Sequence, residues 1–221
     1  SANMHMIFTG NPGTGKTTIA RIIAGKLYDI GIIKEKKLVE AERKDLIAGY
    51  VGQTALKVGE VVEKAMGGIL FIDEAYTLTP KTESDFGGEA IAALIKAMED
   101  HKEDLIVIFA GYKEEMEEFV DANPGIASRI GFTFHFEDYT AEELCKIFVK
   151  KMEANGFTVT EKAEEKVKTL MQESRHRKNF GNGRFVDRAV QQTITIHAQN
   201  YTLESIAVID ERDIPDGVKE G

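Results

Sequence analysis

The chain has 221 residues, enough for one large domain or two of modest size, and no apolar run approaches the roughly 20 residues that span a bilayer. A net charge of −9 speaks against a nucleic-acid surface, which needs clustered lysine and arginine; the one basic cluster, "RHRK" at 175–178, is short and reads as a solvated loop. A single cysteine, Cys145, excludes an internal disulfide and, with no signal-peptide pattern at the start, points to a cytoplasmic protein in which that thiol is a small core hydrophobe.

Taken in chain order, Ser1-Ala2-Asn3 reads as an expression remnant, and by Met6 the chain is already in an apolar strand, "MIF" at 6–8. The expectation is a fragment whose natural upstream segment was removed. "GNPGTGKT", Gly10 to Thr17, follows directly and fits G-x-x-x-x-G-K-[ST] between a strand and a helix. Glycines let the backbone wrap closely around a phosphate, so the N–H groups of the loop and of the following helix start can face it. Asn11, Pro12, Gly13, Thr14, Gly15, Lys16, Thr17 and Thr18 are therefore the expected nucleotide-binding residues. Lys16 would reach the β- and γ-phosphates, and the Thr17 hydroxyl would sit on Mg²⁺. The bland alternative, a chance glycine-rich turn, does not explain the strand, loop and helix in that order.

Further on, "DLIAGYVGQT" sets Tyr50 and Val51 between Gly49 and Gly52, a setting that cannot easily bury large apolar side chains. "TALKVGEVVEKAM" then carries Val58, Val61, Val62 and Ala65 on one helical face. "ILFI" at 69–72 and "LIVIFA" at 105–110 are unbroken apolar runs, as strands buried on both faces require. The first ends in Asp73-Glu74. A carboxylate at a strand end can hold the water shell of magnesium, the role expected of Asp73, and Glu74 can polarise a water for attack on the γ-phosphate. Between the runs, "EAIAALIKAMED" repeats Ile91, Leu94, Ile95 and Met98 at helical spacing. Strands alternating with helices predict an α/β fold, a doubly wound parallel sheet.

The pattern changes after "FTFHF" at 132–136, where helices are expected over 141–154, 161–173 and 184–200, the first opened by a Thr140/Glu143 capping box. The boundaries expected are a P-loop domain over 1–138, a small helical lid over 139–209, and a polar tail over 210–221 that frays.

With these phrases together, "HMIFTGNPGTGKTT", "GGILFIDEAY", "VIFAGYK", "NPGIASRI" and "FGNGRFVDRAV", the chain resembles the AAA+ ATPases over roughly residues 5 to 200. The branch it resembles contains stage V sporulation protein K and the red-type rubisco activase CbbX, and the last phrase leans towards the sporulation side. The resemblance implies a homo-oligomeric ring, usually a hexamer, with ATP bound between subunits; the charge and the lack of a spanning apolar run, read above, predict no nucleic-acid or membrane partner. It places Arg129 at the arginine-finger position, acting in trans, and Arg184 at the sensor-2 position, with Arg188 one turn later as its rival. It sets "AGYVGQT" on the pore loop, where Tyr50 and Val51 would grip an extended protein client. Two departures stand out. The sensor-1 position falls at Gly111-Tyr112, where a tyrosine hydroxyl would have to substitute for a small polar group. The helical segment the family places ahead of the first strand is missing, so weak nucleotide binding or an incomplete ring is expected of this chain.

Other readings predict other features. A nucleotide-dependent switch with little turnover does not need Glu74 or Arg129. A helicase or clamp loader predicts a basic pore, yet Arg43 and Lys44 are balanced by Glu40, Glu42 and Asp45.

Overall fold

In the computed structural model, which describes residues 3–219, the chain divides into two compact units. The first runs to Gly10 and resumes over Gly15–Phe136; the second combines Asn11–Thr14 with the chain from Glu137 onward. Ser1 and Ala2, read as part of an expression remnant, lie outside the described residues, as do the last two residues of the tail.

The first unit is built on a five-stranded sheet in the order β2-β3-β4-β1-β5, with every neighbouring pair parallel. Its strands are β1 (His5–Gly10), β2 (Leu38–Ala41), β3 (Ile69–Ile72), β4 (Ile106–Gly111) and β5 (Ile130–Phe136). Side chains alternate across a strand, so each apolar run supplies both faces of the sheet. Ile7, Leu70, Ile72, Val107 and Phe109 join one core. Met6, Phe8, Ile69, Phe71, Ile106 and Ile108 join the other. The first core is closed by α3 (Gln53–Ala65), α4 (Gly87–Asp100) and α5 (Lys113–Ala122), through Val58, Val62, Ile91, Leu94 and Phe119. The second is closed by α1 (Lys16–Asp29), through Ala20, Ala24 and Leu27. Fully buried rings such as Phe8, Phe71 and Phe109 are the costliest to remove, about 3–5 kcal/mol each on truncation to alanine.

The expected doubly wound parallel sheet is therefore present. β2 is the strand the apolar pattern does not announce. It lies at the sheet edge, three of its four residues keep solvent contact, and Glu40 interrupts its apolar run.

In the second unit, α7 (Ala141–Ala154), α8 (Glu161–Ser174) and α9 (Gly183–Asn200) surround one core. Leu144, Phe148, Val167, Met171, Val186 and Val190 meet there at helical spacing. The Thr140/Glu143 capping box is made: the Glu143 N–H donates to Thr140 Oγ1 at 3.1 Å, and the Thr140 N–H donates to Glu143 Oε2 at 2.8 Å. Cys145 is buried, and burial, ahead of the Glu164 charge, pushes its thiol up, as suits a packing residue.

The tail from Asp210 corrects the expectation of fraying. Ile214 and Val218 belong to the core of this unit, and Asp213 is 2% exposed. Asp213 Oδ2 lies 3.1 Å from His197 Nδ1 on α9, while Thr158–Val159 and Val208–Ile209 form a two-residue parallel ladder. Ile214, Val218 and the buried Asp213 together hold the segment, although composition alone reads it as solvent-exposed.

Candidate active site

In a parallel sheet the strands end on one edge, and the register decides which residues meet there. Thr9 pairs with Gly111 and Ile72 with Phe109, so the chain leaves the sheet at Gly10, Asp73 and Tyr112 on the same side. Gly10 has φ 145, and a Cβ there would stand 2.4 Å from the Phe136 carbonyl oxygen, so the turn out of β1 admits only glycine. Gly15, at φ 92, caps α1 without any side-chain hydrogen bond, and the first helical turn carries no acidic residue. The first N–H groups of α1 are therefore left without a capping side chain, which suits an anion.

Lys16 is 9% exposed and its Nζ donates to the Gly10 carbonyl oxygen at 2.8 Å. The loop thus folds its own cation back across its mouth. Thr17 is half-buried and Thr18 exposed in the same turn. Of the loop tip, Asn11, Pro12 and Gly13 are half-buried, whereas Thr14 is buried and donates through Oγ1 to the Asn11 carbonyl oxygen at 2.8 Å.

Asp73 is positioned by its backbone, whose N–H donates to the Ala41 carbonyl oxygen at 3.0 Å and extends the β2–β3 ladder by one residue. Its Oδ1 accepts the Glu74 N–H at 3.0 Å. Glu74 adopts φ 49 and ψ 46, a left-handed conformation costing a residue with a side chain about 1–2 kcal/mol. The Thr77 N–H and hydroxyl hold it there by donating to the Glu74 carbonyl oxygen at 2.9 and 2.6 Å. The Glu74 side chain is exposed. A carboxylate next to the strand end, on a strained turn and open to solvent, can accept a proton from a water molecule.

Tyr76 was not singled out by its sequence. Its ring lies 6.0 Å from that of Tyr112, the residue that opens α5. Burial first, and then the Glu74 charge, pushes the Tyr76 phenol up, so it stays protonated. Arg43 was also missed as a structural element. It lies on α2 (Arg43–Leu46), donates to Asp85 Oδ1 at 2.7 Å and contacts the Thr77 carbonyl oxygen. Together with Ile47, Thr77 and the two carboxylates Asp73 and Glu74, it lines a cavity of about 420 Å³. The turn that carries Glu74 is thus tied to the segment leading into Tyr50.

Tyr50 and Val51 are 73% and 85% exposed, and Leu56, one turn into α3, is 69% exposed. Gly52 at φ 78 turns the chain into that helix. This apolar group is open to solvent.

Arg129 follows the short helix α6 (Pro124–Ala127) and its cap Ser128, and precedes β5. It donates to the Gly125 carbonyl oxygen at 2.8 Å and to Glu99 Oε2 at 2.9 Å. Ile130 pairs with His5, whereas Gly10 pairs with Phe136, so Arg129 stands at the opposite edge of the sheet from the phosphate loop. In the second unit, Arg184 is exposed in the first turn of α9 and Arg188 is exposed one turn later.

Residues 6–138 match the family described as "ATPase family associated with various cellular activities (AAA)", and residues 140–217 match the AAA lid domain. Stage V sporulation protein K of Bacillus subtilis is 41% identical over 198 residues, 88% of this chain and 62% of that protein. Protein CbbX of Cereibacter sphaeroides is 41% identical over 210 residues, 95% of this chain and 68% of that protein. The chain thus spans about two thirds of the length of these relatives, and its identity to the two is equal. Among solved structures, the Thermotoga maritima RuvB Holliday junction branch migration motor superposes with a TM-score of 0.65 at 19% identity, over 95% of this chain and 59% of that one, a likeness of fold.

Proposed function

Because the chain belongs to the ATPase family associated with various cellular activities, in the branch of stage V sporulation protein K and CbbX, we propose that it hydrolyses ATP and uses that energy to remodel or thread a protein client. The observation that carries this reading is the gathering of Lys16, Thr17, Asp73 and Glu74 on one sheet edge while Tyr50 and Val51 stay in solvent.

Nucleotide phosphates would displace the Gly10 carbonyl from Lys16, exchanging a neutral acceptor for a charged one at the same ammonium. The N–H groups of Gly13 to Thr17 complete the cradle. Among the described residues no cluster of three or more His, Cys, Asp or Glu gathers to hold a metal. Magnesium keeps several waters and binds through one or two protein oxygens plus the phosphates. Thr17 and, through water, Asp73 would supply them, and the ion would neutralise charge on the β- and γ-oxygens. Glu74 accepts the proton of the attacking water. Asp73 keeps the turn in place through the Glu74 N–H.

Transition-state charge on the γ-phosphoryl group calls for a further cation. Arg129, on the far edge of its own sheet, serves a neighbouring copy in a cytoplasmic ring of identical subunits, six in this family's usual form. Arg184 at the start of α9 supplies a second cation from the lid. Tyr50 and Val51 grip the client by apolar contact without reading its sequence. Hydrolysis that needs a neighbour's arginine rises in specific activity with protein concentration. A specific activity that stays constant over concentrations where the chain passes from monomer to oligomer would overturn the shared site.

A further inference from the structure

Within the second unit, each of the four residues at the tip of the phosphate loop is held by a residue of the chain from Asp138 onward. The Asn11 amide donates to the Asp138 carboxylate at 2.9 and 3.2 Å. The Pro12 carbonyl oxygen lies 3.4 Å from Asn182 Nδ2. The Gly13 carbonyl oxygen accepts the Gly183 N–H at 2.9 Å. The Thr14 carbonyl oxygen accepts the Tyr139 hydroxyl at 3.1 Å.

At the centre is Asn182. It is fully buried, at 0% exposure, and adopts φ 45 and ψ −113, unusual for a residue with a side chain. Its Oδ1 accepts the Tyr139 N–H at 2.9 Å, and its Nδ2 donates to Asp138 Oδ1 at 2.9 Å and to the Phe180 carbonyl oxygen at 3.1 Å. One amide therefore sets Asp138, Tyr139 and, through its own backbone conformation, the Gly183 N–H, the groups that hold the other three tip residues. The fit leaves no slack: a Cβ on Gly13 would stand 2.2 Å from the Gly181 carbonyl oxygen.

In a planar trans peptide the C=O and the following N–H point in opposite directions. The carbonyls of Pro12, Gly13 and Thr14 are all engaged on the lid side. The N–H groups of Gly13, Thr14 and Gly15 must then face away from it, which is the array an anion needs. We propose that Asn182 is a positioning residue for phosphate binding: from the lid it turns three consecutive amides of the loop towards the nucleotide, without touching the phosphates itself. This rests on the reading of the loop as an ATP site.

The test is a swap. Asn182→Asp keeps shape and tolerance of positive φ but sets a carboxylate against Asp138; adding Asp138→Asn restores a donor between the two positions. Affinity is read by displacing a fluorescent ATP analogue, alongside melting temperature without nucleotide and the split between KM and kcat. The expected result is a Kd for ATP raised on the order of tenfold in Asn182→Asp and lowered again, in part, in the double variant, where a donor once more spans positions 138 and 182 while the Phe180 carbonyl oxygen still lacks its donor. KM should follow Kd, with kcat changing far less. Asp138→Asn alone, at a partly exposed position, should raise Kd in the same way and decides the matter if Asn182→Asp does not fold. An unchanged Kd in the folded single variants, or a loss the swap does not repair, would overturn the proposal. Lys16→Ala separates the two levels. If it abolishes ATP binding while the Asn182 and Asp138 variants bind normally, only the positioning role fails; if it binds ATP like the parent, the nucleotide reading fails first.

Discussion

Arg129 and Gly10 stand at opposite ends of the central sheet: Ile130, next to Arg129, pairs with His5, and Gly10 pairs with Phe136 five residues further along β1. At about 3.3 Å per residue that is roughly 17 Å, beyond what an arginine side chain bridges. Arg129→Ala should lower hydrolysis by a factor on the order of 10³ while nucleotide binding persists. Mixing Arg129→Ala with Lys16→Ala subunits should restore part of the activity, because some mixed interfaces hold both groups. No recovery in a mixture shown to co-assemble would make Arg129 a structural residue.

Glu99 holds Arg129 within its own chain, and it is 60% exposed. Such a pair contributes about 0–1 kcal/mol and can exchange its carboxylate for a phosphoryl group. Glu99→Ala should therefore leave hydrolysis at or above the parent level, with a small change in melting temperature. A fall as large as that of Arg129→Ala would show that the pair itself is the working element.

The bond between Arg43 and Asp85 carries a pH signature. Asp85 is 8% exposed at its side chain, and the Arg43 guanidinium holds its carboxyl below the ordinary carboxylate range. A depressed folded-state value stabilises above the unfolded value, about 3.9, and that stability is lost as pH falls through the folded value. Asp85→Asn should cost on the order of 1–3 kcal/mol at pH 7, and the gap from the parent should narrow below about pH 4. A gap that is constant with pH would mean that the charge does not contribute.

Tyr50→Ala removes a ring that is 73% exposed. Melting temperature should barely move, basal hydrolysis should stay near normal, and work on a protein client in the assembled ring should be lost. A buried aromatic would cost about 3–5 kcal/mol instead. Marked destabilisation would make the loop a packing element and remove its threading role.

How much of this could be read from the residues follows from the range of the interactions. The phosphate loop, Asp73-Glu74 and the apolar strands are local patterns, in which spacing and chemistry coincide within ten residues. The left-handed turn at Glu74 was hidden because a glutamate there goes against backbone preference and is held by Thr77. Arg43 and Asp85 are 42 residues apart, and Asn182 is 170 residues from Pro12, so neither pairing leaves a trace in sequence periodicity. Tyr50 was legible as exposed because its glycine neighbours deny it a regular element. Its tie to the Glu74 turn, through α2 and Arg43, required the fold.

The central claim is that this chain turns over ATP at the sheet edge that Lys16, Asp73 and Glu74 share. Glu74→Gln keeps the shape of the turn and the Asp73 carboxylate but removes the proton acceptor. Measured on one preparation with the parent, it should bind ATP with unchanged affinity and hydrolyse it at least about a hundredfold more slowly. Turnover at the parent rate in Glu74→Gln, or loss of ATP binding equal to that of Lys16→Ala, would contradict it.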